Sequence, residues 1–317
     1  MSSLDMEQRT RPVEEDPRTG YVTLVGRPNA GKSTLMNAMI GERLSIVTAK
    51  AQTTWERITG ILTTSSAQMI FLDTPGLLEP RDLLQRSMLS AARDALREAD
   101  VVLLVLDGSA PLQPREKAVL EDSLRESSGV PLLTAVNKMD VARPGQVEDL
   151  CRWAAQALGG QVFQISAMQE TGIEELVQAL EASLPAGPFL YPADDIASDP
   201  VRFFVAEMVR ESVFETYYQE IPYSTICRIE EFREDQDPIY IQAHLFVERN
   251  SQKRILIGKG GASIRGLGSD ARKKIEAFLD RKVYLDLWVK VLPDWRRRRV
   301  HLKRLGFSVP EEEGSNG

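Results

Sequence analysis

Residues 26–33 read Gly26-Arg27-Pro28-Asn29-Ala30-Gly31-Lys32-Ser33, preceded by the β-branched and apolar run Tyr21–Val25 and followed by a helical pattern over Ser33–Ile40. A GxxxxGK[ST] run between a strand and a helix builds an anion cradle. Its glycines let the backbone N–H groups of residues 29–33 curl inward, and the helix N-terminus adds positive potential. The cradle fits a β-phosphate; Lys32 would bridge the β- and γ-phosphates, and Ser33 would offer a hydroxyl to Mg2+. With Thr34 next in the helix, Gly26–Thr34 form one phosphate-binding unit.

Outward from this loop, short apolar runs (Ile58–Leu62, Met69–Leu72, Val101–Leu106, Leu132–Val136, Val162–Ile165) alternate with helical patterns near 82–98, 115–126, 146–158 and 173–184. Such alternation specifies an α/β domain with a mixed, largely parallel sheet, helices on both faces and the ligand site at the carboxyl ends of the strands. Three further motifs fall at strand ends. Asp73-Thr74-Pro75-Gly76 closes one strand; its carboxylate can hold Mg2+ through water, and the Gly76 N–H can meet a γ-phosphate. Asn137-Lys138-Met139-Asp140 closes another. There Asp140 can accept from guanine N1 and N2, Asn137 faces the N7/O6 edge and Lys138 lies along base and ribose, which rejects adenine by leaving Asp140 unpaired. Ser166-Ala167 can add a backbone N–H to guanine O6. In Gln52-Thr53-Thr54, one threonine should complete the Mg2+ shell, with Thr54 preferred over Thr53. The reading is GTP/GDP binding with Mg2+.

Hydrolysis is less plainly written. The position just after the DxxG motif, where a water-orienting glutamine is common, is Leu77. Asn29 is a candidate aid, since its amide oxygen could hold K+ beside the phosphates. The catalytic set is therefore Asn29, Lys32 and Thr54, with a passive RNA-binding nucleotide sensor as the alternative.

The 317 residues are too many for one core, and composition sets two regions apart. Residues 251–306 hold 16 Lys+Arg against 5 Asp+Glu on a chain of net charge -7, the charge pattern of a nucleic-acid module joined to an acidic domain. Cys151 and Cys227 fit no zinc or disulfide pattern, and no apolar run is long enough to span a membrane, which points to a reducing, cytoplasmic setting. The expected organisation is a disordered tail at 1–18, a nucleotide domain at 19–186, a proline-rich linker at 187–200, a second domain at 201–306 and an acidic tail at 307–317.

In the second domain a helix (Val201–Tyr218) and strands (Ser224–Phe232, Ile239–Val247) precede Lys253–Gly258, read as β-like; a helix (Ser263–Leu279) and a strand (Val283–Val291) follow. Gly258-Lys259-Gly260-Gly261 is a GxxG loop, whose glycines admit a nucleic-acid backbone to the main chain, with Arg254 and Lys273 as further phosphate contacts. The element order is that of an α+β type II KH domain. Trp288 and Trp295 could stack bases; for Trp288, inside an apolar strand, a core position is preferred.

Taken in order, GRPNAGKSTLMNAMIG, AQTT, FLDTPG, AVNKMD, ISA, EIPYS, VERNSQKRILIGKGGASIRGLGSDARKKIE and LWVKV make the chain resemble the bacterial Era GTPases, of the TrmE-Era-EngA-like class, from residue 20 to residue 306. The resemblance implies a GTPase that cycles between GTP and GDP. It also implies a monomer that binds the 3′ end of 16S rRNA through its KH domain, with RNA affinity tied to nucleotide state, and acts in 30S subunit assembly. A loose association with the inner membrane face belongs to the same picture. Two departures stand out: Trp55 replaces the arginine usual after the paired threonines, and the N-terminal extension is longer than usual. There is no second P-loop, as a double GTPase would need, and no cysteine near the C-terminus, as a tRNA-modifying GTPase would need.

Overall fold

A computed structural model describes residues 16–48, 50 and 52–311. The first domain runs through β1 (Arg18–Gly26), α1 (Lys32–Ile40), β2 (Ile58–Thr63), β3 (Ala67–Asp73), α2 (Leu83–Glu98), β4 (Val101–Asp107), α3 (Pro114–Leu124), β5 (Leu132–Asn137), α4 (Pro144–Trp153), β6 (Gln161–Gln164) and α5 (Ile173–Ser183). Its six strands lie in the order β2-β3-β1-β4-β5-β6. Only the β2–β3 pair is antiparallel. β1 and β4 are buried almost throughout, as central parallel strands covered by helices on both faces must be; β4 is correspondingly an apolar run, while β1 buries Thr23 with its hydroxyl donating to the Ala95 carbonyl at 2.8 Å.

The tail expected at 1–18 lies mostly outside the described residues. Its last residue is not tail: Arg18 opens β1, pairs with Ala67 and donates to the Leu184 carbonyl at 2.7 Å. The proline-rich stretch after α5 is no free tether either. Ile61 N donates to the Ile196 carbonyl at 2.8 Å and Thr59 N to Asp199 Oδ2 at 2.9 Å, so this stretch follows the edge strand β2 and satisfies its outward N–H groups.

The second domain consists of α6 (Val201–Thr216), α7 (Ile221–Ser224), β7 (Ile226–Arg233), β8 (Ile239–Val247), α8 (Asn250–Ile257), α9 (Ala262–Leu279), β9 (Val283–Val291) and α10 (Arg299–Arg304). β7 and β8 are antiparallel, β8 and β9 parallel, and Val205, Val209, Val213, Leu256, Leu267, Ala271 and Ile275 pack from α6, α8 and α9 onto the sheet. The β-like reading of Lys253–Gly258 is corrected: the segment is the end of α8, whose Leu256 side chain faces the core while Arg254 and Ile255 face out. Residues 307–311, expected in an acidic tail, are folded back at their start. Phe307 stacks on Trp295 with ring centroids 6.4 Å apart, and Val309 is buried in the same cluster.

Candidate nucleotide site and nucleic-acid interface

The phosphate loop joins β1 to α1 at the carboxyl edge of the sheet. Gly31 sits at φ +93°, and a Cβ there would lie 2.3 Å from Asn137 Nδ2, so only glycine fits where the loop meets the base-recognition strand. Gly76 is required for a different reason: a Cβ would come within 2.5 Å of Pro28 N, the backbone of the phosphate loop itself.

Lys32 is buried, with Nζ 3.2 Å from the Arg27 carbonyl and 3.4 Å from that of Gly26. Burial pushes its ammonium pKa down, against the pull of the Asp73 carboxylate. Asp73 is itself fully buried, and burial pushes its pKa up, opposed by Lys32 and by hydrogen bonds from Ser33, Ser45 and Thr54. Ser33 Oγ donates to Asp73 Oδ2 at 2.6 Å, Thr54 Oγ1 lies 3.0 Å from Ser33 Oγ, and Ser45 Oγ donates to Asp73 Oδ2 at 3.1 Å. Asp73 Oδ1 is buried with no hydrogen-bond partner among the described residues. An unspent carboxylate oxygen beside two hydroxyls is an all-oxygen donor set, which suits a hard divalent cation. Ser33, Thr54 and Asp73 thus converge as expected, and Thr54 rather than Thr53 joins them. Ser45 was not anticipated; an isolated serine carries no sequence signal.

Thr74 and Pro75 are buried, and Thr74 Oγ1 donates to the Leu24 carbonyl at 2.7 Å, locking the end of β3 to β1 rather than facing a ligand. Leu77 packs with Val25, Ala92 and Leu96, so the position after DxxG belongs to the core. Asn29 is exposed at φ +65° and lines a cavity of about 50 Å3 together with Thr48, Lys50, Thr53 and Thr54.

At the base end, Asn137 is more committed than expected. Its Nδ2 donates to the Ala30 carbonyl at 3.0 Å, and its Oδ1 accepts from Lys138 N at 2.8 Å and Ala167 N at 2.9 Å. The Ala167 N–H expected on guanine O6 is therefore engaged with Asn137, and that of Ser166 with Thr171. Asp140 projects into solvent, one oxygen oriented by Ser166 Oγ at 2.6 Å. Lys138 Nζ pairs with Asp107 at 2.7 Å; burial raises the Asp107 pKa, but the hydrogen bonds from Lys138 and Ser109 outweigh it and hold the carboxyl below its usual range.

In the second domain Gly258, Gly260 and Gly261 all have positive φ, and Lys259 and Gly260 are exposed between α8 and α9. The loop continues into a groove of about 390 Å3 between α9 and β9, lined by Ile264, Arg265, Gly268, Arg272, Tyr284 and Leu287. Arg254 is exposed on the last turn of α8. Lys273, one residue on from Arg272 along α9, lines the cleft between the domains with Arg43 and Glu207 rather than the groove. The two tryptophans exchange roles. Trp295 is 0% exposed and its Nε1 donates to the Ser224 carbonyl at 3.1 Å, which removes it from base stacking. Trp288 is 52% exposed, on the sheet face opposite the helices, with Nε1 2.8 Å from Asp286. The period-2 alternation of β9 decides this, because Val289 takes the inward position.

The domains meet through the segment between α1 and β2. Trp55, in place of the usual arginine, is buried against Trp295, with centroids 5.8 Å apart. Glu56 pairs with Arg228 at 2.5 Å; burial raises its pKa, and Arg228 opposes the rise. Arg43 pairs with Glu211 at 2.5 Å, and Lys50 Nζ donates to the carbonyls of Phe214 and Tyr217.

Comparison with known proteins agrees with this geometry. Residues 21–138 match the family model described as a 50S ribosome-binding GTPase, and residues 209–296 match that of the KH domain. The chain is 40% identical over 294 residues to the GTPase Era of Carboxydothermus hydrogenoformans, covering 92% of this chain and 98% of that protein. It is likewise 40% identical over 303 residues to the GTPase Era of Nitratidesulfovibrio vulgaris, covering 93% and 98%. Among solved structures, a tyrosine-to-alanine variant of Aquifex aeolicus Era bound to GDP and AlF4- superposes with a TM-score of 0.87 at 36% identity, over 92% of this chain and all of that one. An Era complex with MgGDPNP and nucleotides 1506–1542 of 16S ribosomal RNA superposes with the same TM-score, identity and coverage. With a GTP site, a type II KH domain and this likeness along nearly its whole length, the chain belongs to the Era family of GTPases.

Proposed function

We propose that this GTPase binds the 3′ end of 16S rRNA in the groove between α9 and β9 and uses its GTP cycle to promote maturation of the small ribosomal subunit in the cytoplasm. The observation that carries the reading is the union, in one chain, of the Asp73–Ser33–Thr54 cluster with a basic groove beside Gly258–Gly261. The Era complex with 16S rRNA nucleotides 1506–1542 supports the choice of RNA.

In this reading Mg2+ is held by Ser33 and Thr54, with Asp73 behind, and supplies neutralising charge on the β- and γ-phosphates. Lys32 moves its ammonium from the Gly26 and Arg27 carbonyls to the phosphates. Gly76 presents its N–H where charge develops on the γ-phosphate. Leu77 holds no water, so turnover without an added factor is slow; K+ bound at Asn29 would supply part of the missing charge. In the groove, Arg265 and Arg272 contact phosphates, while the exposed glycine backbone of residues 258–261 lets the strand approach closely.

The test is equilibrium binding of an RNA with the 16S 3′-terminal sequence against a scrambled RNA of equal length and composition, with GTP analogue and with GDP. Preference for the authentic sequence, stronger with the GTP analogue, is the expected outcome. Equal affinity for both RNAs would remove the assignment of 16S rRNA.

A further inference from the structure

Arg210 of α6 is 2% exposed, and its contacts reach out of the KH domain into the nucleotide domain. Nε and Nη2 form a fork with Glu207, at 2.9 and 2.5 Å. Nη2 also donates to the carbonyl of Thr53, and the guanidinium plane lies over the Trp55 ring with Cζ 4.7 Å from its centroid. Nη1 is buried with no hydrogen-bond partner among the described residues. A desolvated guanidinium with a vacant donor is costly to keep unless its remaining contacts do something in return. Arg210 grips the residues on both sides of Thr54, whose hydroxyl stands 3.0 Å from Ser33 Oγ and 3.4 Å from Asp73 Oδ2.

We propose that Arg210 is a positioning residue for the GTPase reaction: from the KH domain it holds the backbone of residues 53–55 so that Thr54 is presented to the Mg2+ site. The proposal rests on the reading of Thr54 as a Mg2+ ligand. In GTPases this loop is ordered chiefly by the γ-phosphate and its Mg2+, and is released on hydrolysis. Here part of that order is supplied by a residue 157 positions away in sequence. Glu207 orients the guanidinium through two hydrogen bonds, and Trp55 offers it a flat face that an arginine at position 55 would replace with like charge. The same contact makes Thr54 presentation depend on where the KH domain sits.

The test compares wild type, Arg210→Met, Arg210→Lys, Glu207→Gln and Thr54→Ala in the full chain. The readouts are the Mg2+ concentration for half-maximal GTP hydrolysis, the equilibrium affinity for a non-hydrolysable GTP analogue at limiting Mg2+, and the affinity for GDP. Arg210→Met should raise the half-maximal Mg2+ about tenfold, the size expected for one hydrogen bond to a charged group. It should weaken the analogue by a similar factor and leave GDP affinity unchanged. Arg210→Lys, which can still reach one carbonyl, should recover part of the loss. If Arg210→Met does not fold by circular dichroism, Glu207→Gln carries the test in the same direction with a smaller effect. Three results overturn the proposal: wild-type Mg2+ dependence in a folded variant, parallel loss of analogue and GDP affinity, or faster hydrolysis, which would make the contact a brake. A Thr54→Ala variant with wild-type Mg2+ dependence would instead overturn the ligand reading on which the proposal rests.

Discussion

Trp55 and Trp295 meet across the two domains with ring centroids 5.8 Å apart and planes inclined by 42°. Trp55 precedes β2 in the nucleotide domain; Trp295 follows β9, beyond the last strand of the KH domain. Around them Leu84 and Met88 from α2 and Leu302, Leu305 and Phe307 from the C-terminal segment complete one apolar cluster shared by both domains. Asp82, the N-cap of α2, accepts from Gln85 N and also pairs with Arg296. The segment before β2, whose Thr53 and Thr54 line the phosphate cavity, and the start of α2 are thus both anchored to the C-terminal part of the chain.

Trp295→Ala should therefore destabilise the protein by about 3–5 kcal/mol, the range for truncating a large buried aromatic. It also leaves the Ser224 carbonyl without its indole donor. Urea unfolding, followed by a probe in each domain, is the measurement. A loss below about 1 kcal/mol would show that the shared cluster contributes little.

Asp140→Asn should shift base preference from guanine to xanthine. Its carboxylate is solvent-facing and oriented by Ser166, while an amide would donate to the C2 carbonyl of xanthine and oppose the 2-amino group of guanine. Competition between GTP and XTP reads the change. Retention of GTP preference would mean that Asp140 does not read the base.

Asn29→Ala should abolish any difference between K+ and Na+ in hydrolysis rate while preserving GDP binding, since the exposed Asn29 side chain reaches the rim of the phosphate cavity without supporting the loop. Rates in the two salts at equal ionic strength decide it. An equal rate in both salts for the wild-type protein removes the K+ assignment.

The double change Lys259→Asp and Gly260→Asp places negative charge at the tip of the GxxG loop and a Cβ at a residue with φ +59°. Open space surrounds Gly260, so the added side chain clashes with nothing and the strain is confined to the backbone of an exposed loop; RNA binding should fall steeply while GTP binding survives. Wild-type RNA affinity should decrease with salt at a log–log slope of about -0.7 for each phosphate neutralised. Undiminished RNA affinity in the double variant would move the RNA site to the basic segment Arg296–Arg304.

Motifs whose geometry is local were legible from the residues alone. Gly26–Ser33, Asp73–Gly76, Asn137–Asp140 and Gly258–Gly261 each join or end regular elements, and each carries residue types that the backbone path or a bound anion demands at fixed spacing. The runs of β4 and β9 announced strands for the same reason, and the observed spans Val101–Asp107 and Val283–Val291 follow them closely. What a single strand's composition left open was which way a given side chain points. Trp288 reads as apolar-run core and is half exposed, because Val283 and Val289 occupy the inward positions of β9.

The domain junction was decided by tertiary structure. Nothing near Trp55 in sequence names Trp295, and nothing near Thr53 names Arg210, 157 residues away. Lys273 and Arg272 are neighbours in a basic run, yet the helix turns about 100° between them, so one faces the interdomain cleft and the other the groove. A phosphate loop is specified by the torsions of eight consecutive residues and reads from the chain itself. A contact between domains is specified by complementary surfaces that exist only after both cores have formed, and so leaves no periodicity or spacing by which to find it.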